Sequence, residues 1–260
     1  MDKISVEEKG HVLLIGINRP GKMNAFDLDM YMQLAEALGK LHSTHELRCG
    51  MVFAHGKHFT SGLDLARWVE VFSSGSFPEL PEGSCDPLGL DQDRSVGKPL
   101  VMAVQGICYT IGLELMLATD IRIAASDARF GQIEIKRGIY PVGGATVRLH
   151  EEIGWGNAMR YLLTGDEISA EEAYRMGLVQ EVTPPGKQYK RALAIAETIS
   201  EQAPLGVQAT LNSARLARSE GHIKAISRLL PDLQPIMNSE DVKEGVQSFL
   251  ERRKARFKGL

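Results

Sequence analysis

The amino-acid sequence predicts an α/β fold followed by a helical C-terminal region. Short β-type apolar runs alternate with helical patterns over roughly the first 180 residues, and this alternation is typical of α/β proteins. After Pro184-Pro185-Gly186 only helical patterns remain. These two observations together place a sheet-containing core first and a helical region last.

The first elements are a strand, a helix and a second strand. The apolar run at residues 11–18 stops at Arg19-Pro20-Gly21, because proline and glycine do not continue a strand. Asp27 then precedes apolar residues at helical spacing, so we expect it to cap a helix of about four turns. A strand is predicted at residues 49–54, followed by a glycine-containing loop and a helix that begins near Asp64.

Residues 73–98 contain several serines, prolines and glycines with little periodicity, which predicts a long surface loop. A buried strand at 100–104 follows, then a glycine-containing turn and an apolar helix that ends at Thr119. Further strands are predicted at 121–124 and at Phe130.

The C-terminal part is predicted to contain four helices, at 189–202, 206–219, 222–230 and 240–256. The last of them carries an apolar stripe that needs a partner, formed by Val242, Val246, Phe249 and Leu250. The pattern predicts a core that is followed by a helical region of about the last 60 residues.

Composition excludes several classes of protein. The 260 residues include 30 Lys and Arg against 33 Asp and Glu, and this net charge of -3 argues against nucleic-acid binding. The apolar runs are too short to span a bilayer. The first residues resemble neither a signal nor a transit peptide, so a cytoplasmic location is expected. Three widely spaced cysteines, Cys49, Cys85 and Cys108, predict reduced thiols.

No motif of a phosphate-binding loop, a zinc protease or a serine hydrolase occurs in the sequence. Gly154-Trp-Gly156 lacks the third glycine and the preceding strand of a dinucleotide site. His55 and His58 have no carboxylate or thiol cluster beside them, so we expect no metal site.

Glu114 is the one ionisable residue in the predicted apolar helix. Burial of an unpaired carboxylate costs several kcal/mol in order of magnitude or raises its pKa, which makes Glu114 a candidate catalytic group. A structural alternative is a buried ion pair with Arg122 or Arg129.

Glu134 is flanked by isoleucines and is the second candidate. Two carboxyl groups in apolar surroundings suit a general acid and a general base. The alternative is an ordinary hydrated loop carboxylate. Spacing alone does not bring the two glutamates together.

The sequence resembles the crotonase superfamily, whose best-known members are the enoyl-CoA hydratases and isomerases. The segments that carry the resemblance run in order along almost the whole chain. They are Asn18-Arg-Pro-Gly-Lys-Met-Asn-Ala25, Phe59-Thr-Ser-Gly-Leu-Asp-Leu65, Lys98-Pro-Leu-Val-Met-Ala-Val-Gln-Gly106, Gly112-Leu-Glu-Leu115, Phe130-Gly-Gln-Ile-Glu134, Leu163-Thr-Gly-Asp-Glu-Ile-Ser-Ala170, Gly177-Leu-Val179, Glu244-Gly245 and Phe249-Leu-Glu-Arg-Arg-Lys254.

The resemblance implies a ClpP/crotonase-like ββα spiral catalytic core at residues 1–203, a C-terminal helical oligomerisation region at residues 204–260 that forms trimers, and an acyl-CoA substrate. The loop at residues 73–98 is then expected to line or cover the acyl pocket. The backbone N–H groups of Leu63 and Ile111 would form an oxyanion hole for the thioester. Glu114 would activate the water that attacks C3, and Glu134 would protonate C2. The implied substrate and CoA contacts are Lys22, Met23, Ser61, Gly62, Asp64, Leu65, Phe249 and Arg252.

Family members usually have glycines where this sequence has Thr110 and Ile111, and Ile111 disfavours a positive φ. Leu113 and the large Tyr109 also depart from the usual pattern, which predicts a substrate other than a simple straight-chain enoyl group. In the hydratases, the last helix of a neighbouring subunit contacts CoA, and Phe249 and Arg252 match those positions.

The sequence therefore predicts an enoyl-CoA hydratase that forms a homotrimer or a dimer of trimers and needs no cofactor, since CoA is part of the substrate. Neither a nucleic acid nor a membrane is expected as a partner. An isomerase that uses Glu134 alone is the first alternative, and hydrolase, dehalogenase and racemase activities stay open. An inactive assembly or RNA-binding homologue is the alternative from another class.

Overall fold

The computed structural model describes residues 2–260 and contains two β-sheets. The six strands of the larger sheet lie in the spatial order β1 (Ile4–Lys9), β2 (Val12–Ile17), β3 (Cys49–Ala54), β4 (Leu100–Val104), β6 (Ile121–Ala125) and β9 (Glu181–Thr183). β1 is antiparallel to β2, and the other neighbouring strands are parallel. The smaller sheet consists of β5 (Ile107–Tyr109), β7 (Arg129–Gly131) and β8 (Ile168–Ser169).

From β4 to β7, consecutive strands alternate between the two sheets, and a helix follows each pair of strands. β4 is followed by β5 and a helix, and β6 is followed by β7 and a helix. An isolated parallel bridge between Thr60 and Cys108 adds the chain after β3 to the smaller sheet. The repeated unit is therefore two strands and a helix, which confirms the predicted α/β class and ββα spiral.

Ten α-helices are found in the described residues. Six of them belong to the part of the chain before Pro184, namely α1 (Leu28–Ser43), α2 (Val69–Ser74), α3 (Ile111–Leu117), α4 (Ala145–Ile153), α5 (Trp155–Thr164) and α6 (Ala170–Arg175). The other four are α7 (Gln188–Ser200), α8 (Pro204–Glu220), α9 (His222–Met237) and α10 (Glu240–Leu250).

Alternation of side chains along β2 separates two apolar cores. Leu13, Ile15 and Ile17 point into the main core, whereas Val12 and Leu14 pack with Ala192 and Ala196 of α7. Burial on both faces explains why β2 is apolar at nearly every position, as is usual for parallel sheets covered by helices.

The predicted start of α1 is confirmed, because the Asp27 carboxylate accepts a hydrogen bond from the Met30 amide at 3.0 Å. The strands at 49–54, 100–104, 121–124 and Phe130 are also confirmed within one residue at each end. The helix expected near Asp64 is a 3₁₀ turn at Leu65–Arg67 followed by the short α2.

The segment at 75–99 has no regular structure, as predicted, but it is not simply a surface loop. Cys85, Leu88 and Val96 are buried in the main core. The buried Asp86 carboxylate accepts hydrogen bonds from the Leu88 amide and the Tyr31 hydroxyl. These side chains fix the segment to the core, which its turn-rich composition did not indicate.

Two predicted helix ends are wrong. α9 continues past residue 230 to Met237 although Pro231 and Pro235 lie inside it. Both prolines are exposed, so water can bond the carbonyl groups that lack a helical donor. α10 ends at Leu250, and residues 251–260 fold back, where the Asp241 carboxylate accepts hydrogen bonds from the Lys258 and Gly259 amides.

All three cysteines are buried and free, as predicted from their spacing. In the part of the chain that the structure describes, no helix is long and apolar enough to cross a membrane. α8 begins at Pro204, while the proposed division of the chain between residues 203 and 204 stays a prediction.

Gly39 gives a test of the packing of α1 against the 75–99 segment. A Cβ added there would meet the Gly83 carbonyl oxygen and the Ser84 Cα at 2.7 Å or less. We expect Gly39→Ala to lower the free energy of unfolding by about 1–3 kcal/mol, because backbone atoms must move. Gly206→Ala in α8, where the nearest atom lies at 4.0 Å, should raise it by up to about 1 kcal/mol. Urea unfolding measures both changes, and equal effects would contradict this packing.

Candidate active site

A cavity of about 630 Å³ lies beside the smaller sheet and contains both candidate glutamates. Its wall is mostly apolar. The lining residues are Ser61, Leu63, Leu65, Phe72, Gly75, Ser76, Phe77, Thr110, Glu114, Ile133, Glu134, Arg137, Gly138, Ile139, Tyr140 and Val142.

Parallel strand pairing explains why distant parts of the sequence meet here. Thr60 pairs with Cys108 of β5, and Cys108 pairs with Phe130 of β7, all in parallel. The residues that follow each strand therefore emerge at one edge of the sheet. Ser61 to Leu63, Thr110 to Glu114 and Ile133 to Glu134 meet at this edge, which the sequence spacing alone could not reveal.

Glu114 lies in α3 and is only 5% exposed. Its Oε1 accepts a hydrogen bond from the Ala145 amide at 3.3 Å. Burial raises the pKa of Glu114 to about 7, although the amides of Ala145 and Gly143 and the charge of Arg148 oppose that rise. The alternative of an ion pair is wrong, because Arg122 pairs with Glu152 at 2.7 Å and Arg129 donates to the Ala128 carbonyl.

Glu134 begins a 3₁₀ turn at Glu134–Arg137 that follows β7. With its side-chain nitrogen facing this carboxylate, the buried Gln132 donates to both Glu134 oxygens at 2.8 and 3.0 Å. Burial and the nearby charge of Glu114 raise the pKa of Glu134 to about 8. Glu134 is thus a partly buried wall residue, and the alternative of a hydrated loop carboxylate does not hold. The two neighbouring acids titrate as a pair.

The Leu63 amide has no acceptor among residues 2–260. Its turn is fixed on both sides, because Phe26 donates to the Gly62 carbonyl at 2.9 Å and Asp64 donates to the Phe26 carbonyl at 2.8 Å. Gly62 has a φ of 109°, which requires glycine there. Leu63 therefore presents a free N–H group at the cavity wall.

The Ile111 amide likewise has no acceptor within the described residues. Ile111 is buried directly after Thr110, and it is helical rather than strained. The positive φ of 50° falls on Thr110, whose ψ is -114°. Such angles occur at the first central position of a type II′ turn, where glycine dominates. In a β-branched residue they cost about 1–3 kcal/mol of conformational strain. A β-branched residue thus adopts an unfavourable positive φ in this turn, as the sequence suggested, but the residue is Thr110 and not Ile111.

Other predicted contact residues are distributed unevenly. Ser61 and Leu65 line the cavity. Gly62 does not line it and instead packs against the Thr110 side chain. The Asp64 carboxylate pairs with Arg19 at 3.0 Å. The remaining predicted contacts, Lys22, Met23, Phe249 and Arg252, do not line the cavity of their own chain.

Tyr109 and Leu113, which depart from the family pattern, do not line the cavity, and the expected substrate other than a straight-chain enoyl group stays a prediction. The Tyr109 hydroxyl donates to Glu167, and Leu113 is fully buried in the main core, so neither forms the wall. Phe77 lies in the 73–98 segment that was predicted to line the pocket, whereas sequence reasoning missed the apolar wall residues Phe72, Ile139, Tyr140 and Val142. For the last three, the available signal was their position just after Glu134.

No group of three or more metal-ligating side chains occurs within residues 2–260. His55 contacts the Ser5 hydroxyl at 2.8 Å, and His58 Nδ1 accepts a hydrogen bond from the Ile107 amide at 3.2 Å. Both histidines thus have partners within the fold.

Two acids with raised pKa values beside two free amides form an arrangement that suits proton transfer next to a polarised carbonyl group. The family model for enoyl-CoA hydratase/isomerase matches residues 7–260. The chain therefore belongs to the enoyl-CoA hydratase/isomerase family, and the expected crotonase resemblance is confirmed.

Several relatives are similar over nearly their whole length. Enoyl-CoA hydratase EchA19 of Mycobacterium tuberculosis is 35% identical over 97% of this chain and 95% of its own. The (E)-benzylidenesuccinyl-CoA hydratase of Thauera aromatica is 33% identical over 98% and 99%. The crystal structure of a probable enoyl-CoA hydratase/isomerase from Mycobacterium abscessus superposes with a TM-score of 0.96 at 47% identity, covering 100% of this chain and 99% of the other.

The raised pKa of Glu114 predicts how stability depends on pH. The folded protein holds this proton more tightly than the unfolded chain, so stability falls as pH rises from about 4.5 through about 7. Glu114→Gln keeps the shape of the side chain without its charge. The parent should lose this stability as pH rises and the variant should not. We therefore expect the free energy of unfolding of Glu114→Gln minus that of the parent to be roughly 3 kcal/mol larger at pH 9 than at pH 4.5. Urea unfolding at both pH values tests this, and parallel curves would contradict it.

Proposed function

We propose that this protein is an enoyl-CoA hydratase, which adds water across the C2=C3 double bond of a 2-enoyl-CoA thioester. The observation that carries the proposal is the pair formed by Glu114 and Glu134 in one apolar cavity, with pKa values raised to about 7 and about 8. Near neutral pH this pair holds both an ionised and a protonated carboxyl group, which hydration needs.

In this proposal, Glu114 is the base and Glu134 is the acid. The roles follow those that the family resemblance implies: the Glu114 carboxylate orients and deprotonates the water that attacks C3, and Glu134 delivers a proton to C2. Both carboxyl groups have raised pKa values, so one proton shared by the pair is available near neutral pH. The backbone N–H groups of Leu63 and Ile111 hold the thioester oxygen, where negative charge develops when C3 is attacked.

The cavity supports an apolar acyl group. Leu65, Phe72, Phe77, Tyr140 and Val142 form much of its wall, and apolar surface of this kind gains free energy when it excludes water. Its volume of about 630 Å³ leaves room for more than a four-carbon chain. CoA is part of the substrate, and no further cofactor enters the proposed reaction.

We also propose a homotrimer or a dimer of trimers. Large apolar side chains on α9 and α10 are exposed in the single chain, and single chains rarely expose many of them together. They are Ile223, Ile226, Leu229, Leu230, Leu233, Met237, Val246, Phe249 and Leu250. The 82% exposure of Phe249 fits a role in the site of a neighbouring subunit, where Arg252 would meet a CoA phosphate.

Isomerisation of a 3-enoyl-CoA is the second candidate, because Glu134 alone, with its raised pKa, could carry a proton between two carbon atoms. Nothing in the cavity favours hydrolase, dehalogenase or racemase chemistry over these two. The net charge of -3 gives no support to an RNA-binding homologue. A cytoplasmic location stays a prediction.

Replacement of the acids tests the two roles. With crotonyl-CoA, we expect Glu114→Gln and Glu134→Gln each to lower kcat for hydration about 10²–10⁴-fold, since one proton-transfer group is lost. With a 3-enoyl-CoA, Glu114→Gln should keep isomerase activity if the protein has any, whereas Glu134→Gln should lose it. Loss of the conjugated thioester absorbance measures hydration, and mass spectrometry identifies the product. Unchanged hydration by either variant would contradict its assigned role.

The parent enzyme should show a bell-shaped dependence of kcat/KM on pH. The acid limb is expected near pH 7, where Glu114 becomes protonated, and the basic limb near pH 8, where Glu134 ionises. Glu114→Gln should lose the acid limb in its residual activity. A flat profile for the parent between pH 6 and pH 9 would contradict the pairing of one base with one acid.

Arg252 tests the proposed contact with CoA. We expect Arg252→Ala to raise KM for crotonyl-CoA about tenfold with little change in kcat, because a charge-assisted phosphate contact is worth about 1.5 kcal/mol or more. The crotonyl thioester of N-acetylcysteamine has no phosphates, so its KM should not change. Arg228→Ala, which removes a residue paired with Asp232 on α9, serves as the control. Equal KM changes for both thioesters would contradict a phosphate contact.

A further inference from the structure

Thr110 combines two unfavourable features at one position of the cavity wall. Its backbone has a φ of 50° and a ψ of -114°, angles that glycine adopts without strain and a β-branched residue does not. Its hydroxyl oxygen is buried without a hydrogen-bond partner. Glycine would remove both costs, so stability does not explain a threonine here.

The backbone of Thr110 is fully engaged. Its N–H donates to the Gly131 carbonyl at 2.8 Å, and its carbonyl accepts from the Glu114 amide at 3.1 Å. These two bonds hold the residue in the strained conformation between β5 and α3. The side chain is therefore held at a defined place, and its hydroxyl is the polar group of this residue that the fold leaves without a bond.

The Thr110 side chain lies between the two segments that bear the free amides. Thr110 directly precedes Ile111, and its side chain packs against Gly62, which directly precedes Leu63. The position of a Cβ on Gly62 would lie 2.4 Å from the Thr110 hydroxyl oxygen, so this packing requires the glycine. Thr110 also lines the cavity together with Leu63, Glu114 and Glu134.

We propose that the Thr110 hydroxyl is a third hydrogen-bond donor to the thioester oxygen, beside the Leu63 and Ile111 amides. The Thr110 hydroxyl lies against Gly62 in the free protein, and a turn of about 120° about the Cα–Cβ bond carries it to another of the three staggered positions, away from Gly62. Bound substrate supplies the acceptor that the hydroxyl lacks in the free protein. This inference rests on the proposed thioester chemistry.

Three substitutions separate the hydroxyl from the shape and the backbone strain. Thr110→Val keeps the branched shape and removes the hydroxyl, Thr110→Ser keeps the hydroxyl, and Thr110→Gly removes both the strain and the side chain. We expect Thr110→Val and Thr110→Gly to lower kcat/KM for hydration about 10- to 100-fold, because one donor to the oxyanion is lost. Thr110→Ser should stay within about threefold of the parent.

Thermal unfolding controls for damage to the fold. Thr110→Val loses only an unsatisfied buried hydroxyl, so its Tm should equal or exceed that of the parent. Thr198→Val on α7, which removes an exposed hydroxyl bonded to the Ala194 carbonyl, is the control for a threonine-to-valine change away from the cavity. It should leave kcat/KM unchanged.

A second measurement does not depend on turnover. Butyryl-CoA is saturated and cannot be hydrated, so infrared difference spectra can report the stretching frequency of its carbonyl when bound. Donors to the carbonyl oxygen lower this frequency. We expect a larger downward shift with the parent and Thr110→Ser than with Thr110→Val.

Equal kcat/KM and equal carbonyl shifts for the parent and Thr110→Val would overturn the third donor while leaving the hydratase proposal intact. Activity of Thr110→Gly at or above that of the parent would overturn it as well. Absence of hydration by the parent itself would instead count against the proposed function. An unshifted carbonyl frequency of butyryl-CoA bound to the parent would show that no donor contacts the thioester oxygen, and would overturn the proposed oxyanion hole as well as the third donor.

Discussion

Burial of the Glu114 carboxylate within an apolar helix is the constraint on which the site depends. A carboxylate at this place is stable only because the amide of Ala145 donates to it and the guanidinium of Arg148 lies near. The start of α4 is therefore needed as much for the chemistry of Glu114 as for the packing of the core. The same burial raises the pKa of Glu114 to about 7 and, through its charge, contributes to the raised pKa of Glu134.

The ββα spiral supplies the geometry around that carboxylate. Because β5 and β7 run parallel and Thr60 extends their sheet, three separate turns leave the sheet at one edge. One turn carries the Leu63 amide, the second carries Ile111 and Glu114, and the third carries Glu134. The second turn thus contributes both an amide and a carboxyl group, and placing the groups on strands and helices of one scaffold fixes their relative positions. Family membership and the cavity chemistry thus agree on acid–base catalysis beside a thioester.

Much of this arrangement could be predicted from the sequence. The apolar surroundings of Glu114 indicated a buried carboxylate, and the Asp27 cap fixed the start of α1. The segment that carries Phe77 was predicted to line the pocket, but the wall formed by Phe72 and Tyr140 could not be predicted, because it depends on how the chain folds over the sheet. The strain at Thr110 was located one residue too late, since a sequence gives residue types and not dihedral angles. The end of α10 was placed too far along because the charged residues 251–256 continue a helical pattern while their backbone folds back onto Asp241.

Isotope incorporation tests the central claim, that the two glutamates hydrate an enoyl thioester, most directly. Crotonyl-CoA is incubated with the protein in water enriched in both ²H and ¹⁸O, and the product is examined by mass spectrometry and NMR. The account predicts one ¹⁸O on C3 and one ²H on C2, delivered to a single face of C2 because Glu134 is fixed in the cavity wall. Incorporation of ²H without ¹⁸O would contradict hydration and leave proton transfer by Glu134 alone.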